Sequence, residues 1–234
     1  MTFTVVALSE DGMNLGVATA TCTLAVGSAV LAAAPGVGAI ATQAYTNRRF
    51  RSHTLDLLRR EAHPDLVIQA LQGSDSGFAL RQVGIVDWHG RYALHTGADC
   101  TDWAGGVGRP GSVFIGNLLS SGAVIEAMVA RYDELAGTPF AQRLVEVLLA
   151  GESAGGDKRG RQSAAVYVVS NAEVDAWPPE TVTDLRVDDH ADPVAELRRL
   201  VDLHHRDLLG IPGTVTPTWD GAGGAAPAES PTRE

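Results

Sequence analysis

The order in which strand-like and helix-like segments follow one another constrains the fold of this chain more than any other sequence feature. Two alternating apolar segments, 2–8 and 14–21, flank a turn and predict a β-hairpin. Further strands are predicted at 25–33, 37–42, 81–87, 91–96, 112–115, 162–169 and 181–187. Apolar residues at helical spacing predict helices at 50–60, 63–71, 122–135, 139–149 and 193–208.

These segments form a strand group, a helix pair, a second strand group, a second helix pair and final strands. The order predicts an α+β fold in which two sheets pack together between helical layers. A dinucleotide-binding fold has little support, because Gly36 and Gly38 lack the third glycine of the phosphate-binding motif. The 234 residues fit a single domain at 1–212, followed by a disordered tail at 213–234 that is rich in Pro, Gly and Ala.

The charge of the chain limits its partners. The formal net charge is -10 at pH 7, and basic residues cluster only at 48–51 and 158–161. Nucleic acids and anionic membranes require clustered basic residues, so neither is expected as a partner. Glycines and a proline interrupt the apolar stretch 17–44 and predict short strands with turns, not a membrane-spanning helix. No signal-peptide pattern begins the chain, so we expect a cytoplasmic protein.

The two cysteines, Cys22 and Cys100, give no indication of a metal centre. They form no CxxC pair and have no paired histidine spacing, so neither a metal nor any other cofactor is expected. They could form one disulfide, but without an export signal two buried thiols are favoured.

The first residues and a polar loop in the last third of the chain carry the functional signal. Thr2 heads the first strand and becomes the N-terminal residue if Met1 is removed. A hydroxyl on the first residue can be activated by its own α-amine. The loop 155–165 is dense in charged residues and leads into a strand. Each signal also has an ordinary explanation, since a small second residue favours Met removal and the loop could be a solvated turn.

Several stretches of the chain resemble the DUF1028 family of bacterial and archaeal proteins. They are 36–47, 82–87, 102–105, 155–165 and 184–194, within a similarity that runs from Thr2 to about residue 209. The resemblance implies the fold of N-terminal-nucleophile hydrolases, a four-layer αββα sandwich of two mainly antiparallel sheets. It implies a reaction class only by analogy, because function is carried by sites and not by folds.

The general pattern of that fold assigns roles to residues of this chain. Thr2 takes the place of the nucleophile, and Ser163 belongs to the Ser-small-small element that enters a strand beside the amine. Asn117, with the backbone at Gly116, resembles the loop that supplies oxyanion donors. Three residues of the polar loop would order the amine or bind a substrate carboxylate: Asp157, Arg159 and Gln162.

Other candidates for substrate binding follow the second and fourth strands. Four polar residues follow directly after the fourth, buried strand, a frequent place for ligand contacts, although hydrogen-bonded turn residues are an equal explanation: Thr42, Gln43, Tyr45 and Asn47. Thr21 ends the second strand and, with Cys22, stands where other members of the family often carry Ser-Arg. The chain also departs from the fold's pattern, because no acidic residue ends the second strand and no lysine is visible beside the nucleophile. An alternative nucleophile is Cys100 paired with His95.

These observations predict a hydrolase of amide or related C–N bonds in a small molecule, which uses Thr2 after removal of Met1. The alternative is a non-catalytic small-molecule-binding or assembly module on the same fold. A homo-oligomer is expected in either case, because the apolar segment 24–34 could cover a partner.

Overall fold

The structure is a computed structural model that describes residues 2–172 and 181–210, with side chains as far as residue 206. The strands are β1 (Thr2–Leu8), β2 (Asn14–Thr21), β3 (Leu31–Ala34), β4 (Gly38–Ala44), β5 (Arg81–Asp87), β6 (Tyr92–Thr96), β7 (Gly105–Arg109), β8 (Ser112–Asn117), β9 (Ser163–Ser170) and β10 (Thr181–Val187). The helices are α1 (Arg49–Leu58), α2 (Pro64–Ser74), α3 (Ala123–Glu134), α4 (Phe140–Ser153) and α5 (Pro193–Gly210).

The strands form two sheets that pack face to face. The first sheet has the order β10-β9-β2-β1-β8-β7 and the second has the order β3-β4-β5-β6. All of the pairings between these strands are antiparallel. Helices α3, α4 and α5 cover the outer face of the first sheet, and α1 and α2 cover that of the second. The predicted α+β sandwich with αββα layers is therefore confirmed.

The alternation of side chains along β1 explains how one strand serves two layers of core. Phe3, Val5 and Ala7 belong to the cluster that packs under α3, α4 and α5. Val6 belongs to the cluster between the two sheets. Because successive side chains of a strand point to opposite faces, Thr2 lies on the same face as Val6, toward the second sheet. A third cluster packs the second sheet against α1 and α2.

The two sheets approach closely where β5 crosses β8. A Cβ on Gly84 would lie 2.8 Å from Val113 Cγ1 and 3.2 Å from Ile115 Cδ1. Any larger residue would push the sheets apart, so the glycine sets their spacing at this point.

The structure differs from the prediction at two elements. The strand predicted at 25–33 is wrong, because Val26–Ser28 is a 3₁₀ turn and only Leu31–Ala34 is extended. Ala25 has a left-handed φ of 55°, and the amide of Val26 donates to Ser163 Oγ, so tertiary contacts override the apolar pattern. Strand β7 was not predicted, because a strand rich in glycine lacks apolar alternation.

Within the described part of the chain, no helix combines the length and apolar character needed to cross a membrane. The predicted tail at 213–234 lies outside the described residues.

Much of the apolar segment 24–34 belongs to the core, since Val26, Val30 and Leu31 are buried and Leu24 is exposed.

Candidate functional site

Thr2 lies between the ends of two neighbouring strands. It pairs with Asn117 of β8 on one side, and on the other side the register of β1 with β2 brings it next to Thr21. Thr2 Oγ1 donates to Thr21 Oγ1 over 3.3 Å. Both residues are buried, with Thr2 only 6% exposed. The predicted nucleophile is therefore held on the face of its strand that points between the sheets.

Hydroxyl groups connect Thr2 to the polar loop. Thr21 Oγ1 lies 3.4 Å from Thr23 Oγ1. Thr23 Oγ1 in turn accepts a long hydrogen bond of 3.5 Å from Arg159 Nη2. Residues that are more than 130 positions apart in the chain thus meet in one polar row that starts at Thr2.

The carboxylate of Asp157 fills the place at the end of β2 where the sequence has no acidic residue. Its side chain is only 2% exposed. Asp157 Oδ2 accepts from the backbone amide of Cys22 over 2.8 Å and from Arg159 Nη2 over 3.2 Å. Asp157 Oδ1 accepts from the backbone amide of Arg159 over 2.8 Å. A buried carboxylate needs such partners, and here they fix the loop against β2.

The polar loop 155–162 is anchored at both of its ends. The amide of Ser120 donates to the carbonyl of Gly156 over 3.1 Å, which holds the start of the loop beside the segment that follows β8. At the far end Arg161 forms ion pairs with Glu152 over 3.4 Å and with Asp192 over 3.1 Å. Burial raises the pKa of the Glu152 carboxyl, and Arg161 offsets part of that rise.

A cleft of about 300 Å³ opens beside this row. Its lining residues come from the segment after β2, from the ends of β4 and β8 with the residues that follow them, and from the loops before β7 and β9: Thr23, Ala44, Tyr45, Thr101, Asn117, Leu118 and Arg159. Two of its walls have left-handed backbone, with a φ of 67° at Ala44 and 56° at Leu118. Such conformations are unfavourable for residues other than glycine, and they are concentrated at functional sites.

A buried network of amides lies behind Thr2 between the sheets. Gln43 Nε2 donates to the carbonyl of Thr2 over 3.1 Å and to Gln82 Oε1 over 2.8 Å. Asn117 Nδ2 donates to the same oxygen of Gln82 over 3.0 Å. Gln82 Nε2 lies within hydrogen-bonding distance of three acceptors: the carbonyls of Gly105 and Gly116 and the hydroxyl of Thr96. These three side chains, the amide network, tie β4 and β5 to the ends of β1 and β8.

Gln82 and Thr23 belong to the site but were not predicted from the sequence. Gln82 is fully buried and lies directly before the apolar residues of β5, and a polar side chain at that place is a signal that could have indicated it. Thr23 gives no such signal, because it lies in a loop where hydroxyl residues are common.

The other predicted site residues are placed in supporting positions. Ser163 is fully buried, and its Oγ donates to the carbonyl of Thr23 over 2.5 Å and accepts from the amide of Val26. The side chain of Gln162 donates to Asp189, away from the cleft, and its backbone amide donates to the carbonyl of Thr21. These contacts shape the loop that carries Thr23.

Thr42 and Gln43 are both fully buried, so neither side chain lies in the cleft. Thr42 Oγ1 donates to the carbonyl of Asn47 over 3.4 Å, and Gln43 belongs to the amide network. The structure therefore brings Gln43 to Thr2 as a hydrogen-bond donor to its carbonyl, and Thr42 lies on the opposite face of β4.

Cys100 and His95 are each bonded to the backbone. Cys100 Sγ donates to the carbonyl of Arg81 over 3.4 Å, and burial raises the pKa of the thiol. His95 Nε2 lies 3.2 Å from the carbonyl oxygen of Phe78, and burial lowers the pKa of the imidazole. A raised thiol pKa disfavours the reactive thiolate. Both cysteines are free thiols, and Cys22 is only partly buried, contrary to the prediction.

No group of three or more His, Cys, Asp or Glu side chains in the described ranges could hold a metal ion. The site thus consists of hydroxyls, amides and one carboxylate–guanidinium pair, gathered around the first residue of β1. Together with the layers of the fold, it defines an α+β sandwich protein whose candidate site is built on the start of the chain.

The sequence identifies the family within that class. The model of DUF1028, a family of unknown function, matches residues 2–197, and the chain belongs to this family. Protein SPO2555 from Silicibacter pomeroyi, also assigned to DUF1028, has a similar structure with 30% sequence identity. The match covers 86% of this chain and 88% of that protein, with a TM-score of 0.76.

Two further solved structures are more distant. Anbu (ancestral beta-subunit) from Yersinia bercovieri has 12% identity over 90% of this chain and 98% of its own, with a TM-score of 0.41. The Anbu (Gly-1) mutant from Hyphomicrobium sp. strain MC1 has 12% identity over 91% and 98%, with a TM-score of 0.40. Neither similarity is high enough to carry an argument. Among curated proteins no significant match is found.

Proposed function

We propose that this protein hydrolyses an amide or related C–N bond of a small molecule, with Thr2 as nucleophile after removal of Met1. One observation carries the proposal. Thr2 adjoins two elements of the cleft wall, namely Asn117, which is its strand partner, and Thr23, which it reaches through Thr21. A cleft of about 300 Å³ lies at the lower end of the range for small-molecule sites.

In the proposed reaction the α-amine of Thr2 accepts the proton of its own hydroxyl while the oxygen attacks the carbonyl carbon of the substrate. The C–N bond then breaks, and the leaving nitrogen takes the proton from the amine. An ester remains on Thr2. Water attacks this ester, the carboxylic acid leaves, and the hydroxyl regains its proton.

The neighbouring side chains have distinct proposed roles. Asn117 uses one amide hydrogen to bond Gln82, and the other serves as a donor to the oxyanion. Arg159 contributes positive charge beside the hydroxyl row, where it favours a substrate carboxylate or the neutral form of the amine. Asp157 holds Arg159 and the end of β2 in place. Ser163 positions Thr23 through its carbonyl contact.

The test compares two forms of the full chain. One is released from an N-terminal fusion so that it begins at Thr2, and the other retains Met1, as verified by intact mass. Each is incubated with a library of small amides and with a β-lactone, whose ring opens when a hydroxyl attacks it and leaves an ester on that hydroxyl. We expect turnover, and an adduct mapped to Thr2, only for the form that begins at Thr2.

Two substitutions provide matched controls. Thr2→Ser keeps the hydroxyl and should retain labelling, whereas Thr2→Ala should lose it along with at least about 100-fold of the turnover. Equal turnover by Thr2→Ala would show that another group is the nucleophile.

A non-catalytic binding module is the second candidate, and one observation favours it. The amide of Gln43, not a lysine, lies beside Thr2, and the chain's single lysine, Lys158, donates to the carbonyl of Asp102. Retention of Met1 in the mature protein, together with binding but no turnover of the amides, would favour this candidate.

A further inference from the structure

We propose that Tyr45 is a stacking platform in the cleft and that the ligand carries a planar aromatic ring attached to its amide group. The inference rests on the proposed function in one respect, since it takes this cleft as the place where the amide binds. It adds the chemical class of the group that lies beyond the amide.

The exposure of Tyr45 is the first observation. The residue is 60% exposed, although it directly follows the buried strand β4 and lines the cleft. Among the cleft-lining residues it has the only aromatic ring. An aromatic ring offers a large flat apolar surface at low cost in conformational entropy, so it suits a planar partner.

The second observation is that the backbone of Tyr45 is held rigidly from below. Its carbonyl accepts from Arg81 Nη1 over 2.5 Å, and its amide donates to the carbonyl of Leu80 over 3.2 Å. Arg81 is itself fixed by Asp75, whose carboxylate also accepts from Asn47 over 2.9 Å. A side chain presented on a preorganised backbone binds its partner with a smaller loss of entropy.

The preceding residue adds to this evidence. Ala44 has a φ of 67°, which turns the chain out of β4 and directs the next residue along the cleft. A left-handed conformation is unfavourable for alanine. Strained backbone that persists next to an exposed ring indicates a functional reason for the position of that ring.

The remaining walls of the cleft decide how a ligand is oriented. Thr23, Asn117 and Arg159 present hydroxyl, amide and guanidinium groups on the side of Thr2. A ligand with an amide at one end and an aromatic ring at the other matches this division. The amide lies near Asn117, and the ring stacks on Tyr45.

The test measures binding alone and uses the full chain with Thr2→Ala, so that turnover is not required. The probes are benzamide and cyclohexanecarboxamide, which share the amide and the ring size but differ in planarity. Their dissociation constants are measured by NMR titration at millimolar concentrations. We expect benzamide to bind about threefold to tenfold more tightly, as is typical of an aromatic pair.

Three further substitutions, each made in the chain with Thr2→Ala, test whether Tyr45 causes the preference for benzamide. Tyr45→Phe should retain the preference for benzamide, and Tyr45→Leu should abolish it. Trp88→Leu is the matched control, because Trp88 is also an exposed aromatic residue but lies at the opposite end of β4 and β5, about 20 Å away. It should leave both affinities unchanged.

Equal affinities for the two amides, no binding of either, or a preference that survives Tyr45→Leu would each overturn the inference. Failure of the proposed function gives a different result. In that case benzamide still binds through Tyr45, while the form of the protein that begins at Thr2 turns over no aromatic or aliphatic amide.

Discussion

At the scale of single residues, the proposed chemistry of the candidate site depends on one amine. The chain contains a single lysine, Lys158, so a form that begins at Thr2 has only two primary amines. Lys158 Nζ donates to the carbonyl of Asp102. Replacing it with arginine keeps the positive charge and leaves the α-amine as the only primary amine that acylating reagents can modify.

We therefore predict that acetylation of Lys158→Arg, in the form that begins at Thr2, abolishes amide hydrolysis and leaves the fold intact. The acetylated nitrogen can no longer accept the hydroxyl proton. Activity is assayed before and after acetylation, intact mass verifies one acetyl group, and circular dichroism verifies the fold. Full activity of the acetylated protein would contradict a mechanism based on the α-amine.

The same amine should appear in the pH dependence of kcat/KM. A free α-amine has an ordinary pKa of about 7.7–8.0, and it acts as a base only when neutral. Activity should therefore rise with pH as the amine loses its proton. The positive charge of Arg159 favours the neutral form of the amine and lowers its pKa. Arg159→Gln should therefore shift the rise of kcat/KM to higher pH. If kcat/KM rises over the same pH range after this substitution, Arg159 exerts no charge effect on the amine.

At the scale of elements, one ion pair joins the end of α2 to the start of β5. The Arg81 guanidinium, with further help from the Asn47 amide, lowers the pKa of the Asp75 carboxyl to about 2. Both side chains of the pair are largely buried. Through Arg81 the pair also holds the turn that carries Tyr45, so the stability of the elements and the shape of the cleft depend on the same contacts.

We predict that Asp75→Asn destabilises the protein by about 1.5–3 kcal/mol at neutral pH, the usual contribution of a hydrogen bond to a charged group. Because the folded pKa is below the unfolded value of about 3.9, this stabilisation is present above that value. It is lost as the pH falls toward the folded pKa of about 2. Urea unfolding at neutral and acidic pH should show the two proteins converge in acid.

Asp56→Asn is the matched control for this prediction. Asp56 pairs with Arg59 on the exposed face of α1, and exposed pairs contribute about 0–1 kcal/mol. A destabilisation by Asp75→Asn no larger than that of Asp56→Asn, or one that persists in strong acid, would contradict the assigned role of Asp75.

At the scale of the whole molecule, the amide network joins the two sheets near the site. Gln82 extends from β5 of the second sheet to the ends of β7 and β8 in the first. Its oxygen accepts from both Gln43 and Asn117. In the described residues Thr54 Oγ1 is the only buried polar side-chain atom that lacks a partner, so every buried polar side-chain atom of this network has at least one.

We predict that Gln82→Leu destabilises the protein by about 2–5 kcal/mol. The substitution removes the acceptor of one amide hydrogen of Gln43 and of one amide hydrogen of Asn117, and each unsatisfied buried group costs about 1–3 kcal/mol. Urea unfolding measures the change. Gln69→Leu, on the exposed face of α2, serves as the control and should change stability by less than about 0.5 kcal/mol. Equal effects of the two substitutions would show that the network does not hold the sheets together.

Patterns along the chain predicted most of the elements. Apolar alternation indicated the hairpin that became β1 and β2, most of the other strands were also predicted, and helical spacing indicated all of the described helices. These predictions succeeded because the spacing of apolar residues within a short segment distinguishes a strand from a helix. The 3₁₀ turn at Val26–Ser28 was missed because its amide is bonded to Ser163, far away in the chain.

The sequence by itself determined the layers of this protein, its family and the presence of Thr2 at the head of the first strand. Only the tertiary structure decided which polar side chains meet there. It placed Asp157 at the end of β2, Gln82 beneath Asn117, and Thr42 away from the cleft. The physical reason is that strand pairing and register bring together residues separated by tens to more than a hundred positions in the chain. The local spacing of apolar residues does not predict which strands pair or in which register.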